Sequence, residues 1–257
     1  IIVGGRLSRA TQHLFRHNDM DHLRALLEEH RAGHKRCLVV TDGVFSMDGD
    51  LAPVHEMAEL AQEFDAWLMT DDAHGIGVVG AGGRGSTFAG GTKAAVDLQM
   101  GTLSKAVGGY GGYLCASKAV IDLMKTRCRT LIYSTGLPPA TVAAAIAALD
   151  IIEGDPEYTA RPVKKAQRFT RRLGLPAAES PIVPILLGDS ARTMAAQKVL
   201  EDAGYLVIGI RPPTVPEGTA RLRLTFTALH ADADIDRLAD LIADKVLVGD
   251  EPFRASS

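Results

Sequence analysis

From residue 36 onward, short apolar runs alternate with amphipathic stretches, and this alternation limits the possible folds more than any other feature of the chain. RCLVVTD reads as a buried strand, and APVHEMAELAQEF as a helix with apolar residues three and four apart. AWLMTDD is the next strand, followed by VDLQMGT and YLCAS. Strands alternating with helices predict an α/β sheet of mostly parallel strands, a class that binds ligands at the carboxyl ends of its strands. Beyond Ser134 the pattern changes. PPATVAAAIAALDIIEGD predicts a long helix with proline at its start, and RPVKKAQRFTRRLG a charged helix. Then come strand PIVPILLG, helix ARTMAAQKVLEDAG, strands YLVIGI and ARLRLTF, and helix DADIDRLADLIADKVL. The expected organisation is a large unit over residues 1–150 and a smaller α+β unit over 151–250, with the tail EPFRASS frayed.

Bulk properties narrow the function classes. At 257 residues with a formal net charge of -3, the chain offers no electrostatic case for nucleic acid or an anionic membrane surface. Its apolar runs, such as IVPILL and TVAAAIAAL, are too short to span a bilayer. Cys37, Cys115 and Cys128 are widely spaced and odd in number, which suggests reduced core thiols in a cytoplasmic protein rather than disulfides or a zinc site. IIVGGRLSRA has no initiator methionine and no signal-peptide pattern, and it opens as though inside an element. Residues are expected to be missing before Ile1.

Three stretches carry candidate chemistry. MTDDAHGIG puts Asp71, Asp72 and His74 where a strand ends, which suits a metal site, an acid holding a ring nitrogen protonated, or a plain polar strand end. TDGVFSMDGD closes the preceding strand and offers Ser46 and Asp50. GTLSKAVGGYGGYL sets Lys105 among small residues, with Thr102 and Ser104 just before it. Lysine makes Schiff bases with carbonyls, and pyridoxal phosphate enzymes need such a lysine, an aspartate for the pyridinium nitrogen, and hydroxyls for the phosphate. From the residues alone both readings stay open, although a metal site would leave Lys105 unexplained. GAGGRGST matches neither the dinucleotide nor the P-loop pattern and reads as a flexible loop. HNDMDH has metal-like spacing in an ordinary charged segment before a helix, so no metal is expected. His13, His17, His22, His30, His34 and His55 read as solvated or structural, and Tyr110 and Tyr113 as packing residues. Arg211 reads as a second anion contact or a salt-bridged strand end.

The ordered set DDAHGIGVVG with GRGS, GTLSKAVGGYGGYL, IYSTGLPPA and RPPTVPEGTARLRLT resembles the α-oxoamine synthase family. These fold-type I, pyridoxal-phosphate-dependent enzymes join an amino acid to an acyl thioester with loss of carbon dioxide. The likeness runs from Ile1 to about Lys245. It implies a mostly parallel sheet flanked by helices plus a smaller α+β C-terminal domain. It also implies roles: Lys105 as the Schiff-base lysine, Asp71 on the pyridinium nitrogen, His74 on the 3-hydroxyl oxygen, Thr102 and Ser104 toward the phosphate, and Ser46 beside the ring. Ser134 and Thr135 resemble a pair that reaches the phosphate across a homodimer interface with a shared active site. Arg223 resembles the arginine that binds the amino-acid carboxylate, and Thr214 lies on the acyl side.

Within the family, VFSMDGDLAP and IRPPTVPEGTARLRLT are most similar to the branch of biotin biosynthesis that uses L-alanine and a pimeloyl thioester, carried on CoA or a carrier protein. The branches acting on glycine or serine are the alternatives, as is a non-catalytic partner subunit. Asp42 stands where the family pattern has glutamate, a change expected to lie away from the reacting atoms. The family's segment before Ile1, with a glycine-rich turn and a ring-stacking histidine, is absent from this sequence.

Overall fold

A computed structural model describes residues 2–247, and in it the strand–helix alternation resolves into two separate sheets. The first is built from β1 (Leu38–Asp42), β2 (Trp67–Asp71), β3 (Leu98–Thr102) and β4 (Gly112–Ala116), in that order. β1, β2 and β3 are parallel, whereas β4 returns antiparallel to β3 at the edge. Helix α1 (Ile2–Leu7) and helix α2 (Met20–His30) precede the sheet, and α3 (Val54–Glu63) makes the crossover from β1 to β2. α3 folds as a helix because Val54, Met57, Ala58, Leu60 and Ala61 repeat at helical spacing, and that face is buried. It packs with Leu23 and Leu27 of α2 against Val39 and Leu68 of the sheet. Met57 and Leu68 are fully buried, a burial worth roughly 2–3 kcal/mol each. The HNDMDH segment is a helix start: Asp19 caps α2 by accepting from His22 N at 2.8 Å.

After β4 come α4 (Lys118–Arg127), α5 (Arg129–Ile132), α6 (Pro139–Gly154) and α7 (Pro156–Arg172). α7 begins before the charged stretch RPVKK, because Asp155 caps Tyr158 N at 2.9 Å and Pro156 takes the first helical position. α6 buries only Ala145; Val142, Ile146, Leu149 and Ile151 of this apolar helix are exposed.

The second sheet contains β5 (Ile182–Gly188), β6 (Ile208–Ile210) and β7 (Ala220–Thr225) in the order β5-β7-β6, all antiparallel. The strand expected over YLVIGI pairs only at its last three residues. Helices α8 (Ser190–Asp202) and α9 (Asp232–Lys245) join α7 around this sheet, and Phe169, Leu200, Leu222 and Ile242 fill the space between at zero exposure. Bidentate pairs tie α7 to α9 on the outside: Arg168 to Asp236 at 2.6 and 2.7 Å, and Arg172 to Asp240 at 2.6 and 2.8 Å.

Two expectations need correction. The cysteines are free, but they are not core thiols: Cys115 is exposed on the edge strand, and Cys37 and Cys128 are half-buried. The glycine-rich GAGGRGST segment is a pair of hydrogen-bonded turns (Ala81–Gly83 and Ser86–Phe88) rather than a loose loop. Among the described residues no helix is long and apolar enough to cross a membrane. The tail EPFRASS lies outside the described residues.

Candidate active site

Three neighbouring strands deliver their carboxyl ends to one place. β1 and β2 run in register, so Asp42 and Asp71 stand side by side as their last residues. The loop after β1 carries Ser46, the loop after β2 carries His74, and β3 ends at Thr102, three residues before Lys105. Asp42, Val44, Ser46, Asp71, Ala73, His74 and Lys105 line a cavity of about 160 Å³. Ala73 N donates to Asp71 Oδ1 at 3.0 Å, fixing that carboxylate at the strand end.

Burial, then the nearby cations Lys105 and Arg223, push the pKa of His74 from 6.5 down to about 4, while Asp71 pulls the other way. The imidazole is therefore neutral near pH 7. Asp42 was expected away from the reacting atoms, but it forms part of the cavity wall. Burial and the adjacent Asp71 raise its carboxyl above the ordinary value.

Asp72 turns away from this group. It is fully buried, both its oxygens accept from Ser86 N at 3.0 and 2.9 Å, and Gln99 Nε2 donates to it at 2.8 Å. Burial raises its pKa against the pull of those hydrogen bonds. A metal held jointly by Asp71, Asp72 and His74 is thus excluded by geometry, and no metal-binding cluster occurs among the described residues. Asp72 instead anchors the turns of residues 81–88 beneath the site.

Thr102 and Ser104 shape the turn that presents Lys105. Their hydroxyls lie 2.7 Å apart, Thr102 Oγ1 donates to Gly111 O at 3.0 Å, and Ser104 N donates to Thr102 Oγ1 at 3.2 Å. Neither lines the cavity. Lys105 is exposed on this turn, closed by Gly108 N donating to Lys105 O at 3.0 Å.

From the second sheet, Arg223 of β7 reaches the site: its Nε donates to Ser46 O at 2.5 Å and its Nη1 to Thr225 Oγ1 at 3.2 Å. Burial lowers the pKa of its half-buried guanidinium, which still carries its charge. Thr214 is exposed and belongs to a second cavity, about 350 Å³, walled by His17, Met47, Asp48, Val215, Thr219 and Arg221 among others. Ser134 and Thr135 lie exposed after α5, in neither cavity. Asp50 is taken up by His17 Nε2 at 2.6 Å and Asn18 Nδ2 at 2.9 Å. Arg211 Nη1 faces Met194 Sδ at 2.9 Å. Tyr113 stands opposite Gly101, its buried hydroxyl without a partner and its pKa raised by burial.

Asp42 and Arg221 escaped the sequence reading. The signals were present: LVVTD and WLMTD both end in Thr-Asp, and RLR places two arginines on one face of a strand.

The donor set, two aspartates, one neutral imidazole, one lysine and a serine around a cavity with Val44 and Ala73 as apolar walls, matches a flat, ionisable, carbonyl-bearing ring far better than a metal. The sequence matches the aminotransferase class I and II family over residues 1–242, and the chain belongs to that family. Its architecture is the fold-type I arrangement, a mostly parallel sheet flanked by helices with a smaller α+β unit after it. Among individual relatives, it is 59% identical to the 8-amino-7-oxononanoate synthase of Methylocella silvestris, over 96% of this chain and 70% of that one. A Parvibaculum lavamentivorans protein provisionally given the same name is 67% identical over 96% of this chain; there the chain spans 64% of the relative's length. The Sphingomonas wittichii serine palmitoyltransferase structure superposes with TM-score 0.84 at 32% identity, covering 90% of this chain and 59% of that one. The Francisella tularensis 8-amino-7-oxononanoate synthase structure gives TM-score 0.78 at 25% identity, covering 95% and 71%.

Proposed function

We propose that this chain carries the catalytic centre of a pyridoxal-phosphate-dependent 8-amino-7-oxononanoate synthase, which condenses L-alanine with a pimeloyl thioester and releases carbon dioxide. One observation carries the reading: Lys105, Asp71, His74 and Ser46 line a single cavity at adjacent strand ends, with Arg223 of β7 hydrogen-bonded to the carbonyl of Ser46. The names of the relatives support the choice of reaction. When bound, pyridoxal phosphate supplies a carbonyl carbon for an amine and a ring that can take up an electron pair.

The residues divide the work. Asp71 keeps a proton on the ring nitrogen, and neutral His74 holds the ring's phenolic oxygen by a hydrogen bond. Ser46 packs beside the ring, while Thr102 and Ser104 shape the turn that faces the phosphate. Arg223 turns its guanidinium to the carboxylate of alanine and seats it. Lys105 removes the proton from the alanine α-carbon. That carbon bonds to the thioester carbonyl, and the C–S bond breaks to release the thiol. The carboxylate carbon then leaves as carbon dioxide, and Lys105 returns a proton to the α-carbon. Thr214 and the second cavity flank the acyl chain, delivered by CoA or a carrier protein. Ser134 and Thr135 meet the phosphate of a second copy in a cytoplasmic homodimer. The exposed Val142, Ile146 and Leu149 of α6 support such a partner surface.

The test is the visible absorption spectrum of the protein with added pyridoxal phosphate, followed by titration with L-alanine, glycine and L-serine. A Schiff-base band that L-alanine perturbs at the lowest concentration is expected. Absence of the band overturns the reading, and preference for glycine or serine moves it to another branch of the family.

A further inference from the structure

Ser46 rides on a loop, residues 43–51, that leaves β1 yet is fastened to the other sheet. Leu51 N donates to Glu179 Oε2 at 2.9 Å, 128 residues away in sequence. Val44 packs with Ile182 at the start of β5. Gly49 has φ +79°, and a Cβ there would stand 2.2 Å from Ile182 O, so the loop touches β5 backbone to backbone. The firmest attachment comes from β7. Arg221 and Arg223 are two residues apart and so project from one face of the strand. Arg223 Nε takes Ser46 O at 2.5 Å, and Arg221 Nη1 takes Met47 O at 3.1 Å and Asp48 Oδ1 at 2.5 Å.

The two arginines differ in burial. Arg221 is 5% exposed and its Nε is held by Thr219 O at 3.0 Å, whereas Arg223 is half-buried, with Nε on Ser46 O and Nη1 on Thr225 Oγ1. A buried guanidinium is retained only with partners in good geometry, and its planar fork fixes their direction. Arg223 holds Ser46 O with the same guanidinium that the proposed function assigns to the substrate carboxylate. The Arg221 contacts one residue further on are independent of it.

We propose that Arg221 is a positioning residue that sets Ser46 through the Met47 carbonyl and the Asp48 carboxylate, so that the second sheet, and not β1, fixes this wall of the cofactor cavity. The proposal rests on the reading of Ser46 given under the proposed function.

The experiment compares Arg221→Met and Arg221→Lys with the parent in the intact polypeptide, by amide hydrogen exchange and by L-alanine titration of the pyridoxal phosphate band. Phe45 and Gly49 donate within the loop, to Asp50 O and Phe45 O. Their exchange should rise about tenfold in Arg221→Met, with Val183 and Leu222 in the second sheet unchanged. The alanine concentration at half-change should rise about tenfold, and Arg221→Lys should recover part of it, keeping the charge without the fork. On a Ser46→Ala background the added effect of Arg221→Met should largely vanish, because both act on the same group. Unchanged loop exchange, full additivity with Ser46→Ala, or a uniform rise across the second sheet would each overturn the assignment. If the parent shows no visible band, the cofactor reading fails, yet loop exchange still decides whether Arg221 holds the loop.

Discussion

At His74 influences of opposite sign meet in one imidazole. Burial, Lys105 and Arg223 disfavour the cation, Asp71 favours it, and the balance leaves a pKa of about 4 against an ordinary 6.5. The unfolded chain therefore binds a proton between pH 6.5 and 4 that the folded chain refuses, so stability is complete above pH 6.5 and falls as pH drops toward 4. Asp42, with its raised pKa, contributes with the opposite slope, and does so in the parent and in His74→Asn alike. Urea midpoints across pH 4 to 7 should fall more steeply for the parent than for His74→Asn; equal slopes would refute the assigned pKa. Lys105 makes the complementary case. It is exposed, so Lys105→Ala should change stability by no more than about 0.5 kcal/mol while removing both the visible band and carbon dioxide release. Retained turnover in that variant would sink the mechanism. Lys105, Asp71, His74 and Ser46 were legible because motif order marks them. Asp42 is legible only in part: LVVTD repeats the Thr-Asp ending of WLMTD, but the register of β1 on β2 is what brings it to the cavity.

At the scale of elements, the loops and not the strands decide what the site becomes. Apolar runs and helical spacing located β1 through β4 and α3 well, because burial on one face writes a period into the sequence. The loops were harder. GAGGRGST looked loose because glycine reads as freedom, yet Asp72 fastens it at Ser86 N. Replacing Asp72 by alanine strands a buried amide N–H and the Gln99 side chain, a loss of about 2–4 kcal/mol in chemical denaturation. A loss under ~1 kcal/mol would mean that water takes over both donors. The sequence marks the 43–51 loop only as the close of a strand, and its docking on β5 and β7 is invisible there, since partners 128 to 177 residues away leave no local mark. Gly49 tests that docking. With φ +79° and a backbone oxygen 2.2 Å from any Cβ, alanine there meets an obstacle that cannot swing aside. Gly49→Ala should cost at least ~2 kcal/mol and raise the L-alanine requirement at the same time. A stable variant with unchanged alanine titration would show that the loop need not touch β5.

Across the whole molecule, the two sheets differ in how completely they are closed. The second is enclosed by α7, α8 and α9, with Phe169, Leu200, Leu222, Ala239 and Ile242 at zero exposure, and the α7–α9 arginine–aspartate pairs lie over its rim. The first leaves Leu38 and Trp67 about half exposed at its strand starts, while β4 forms an edge with Cys115 in solvent, and α4 buries none of its residues. Between the sheets run the small Val44–Val79–Ile182 cluster and the polar contacts of the 43–51 loop, so cooperativity across the boundary depends on few apolar atoms. Opening free energy follows buried apolar contact and protected hydrogen bonds. In the 257-residue chain, native-state hydrogen exchange should therefore place the amides of Val183, Ile185, Leu222 and Leu224 among the slowest, and those of Leu114 and Cys115 among the fastest. Met69 and Thr70 on the central β2 should fall between. The surface pairs add little to this order, since exposed ion pairs contribute about 0–1 kcal/mol each, so raising the salt concentration should leave it intact. If β4 exchanges as slowly as β7, its open edge is covered in solution. The apolar face of α6 would then be the first place to look for what covers it, by repeating the exchange across a dilution series that separates any assembly of copies.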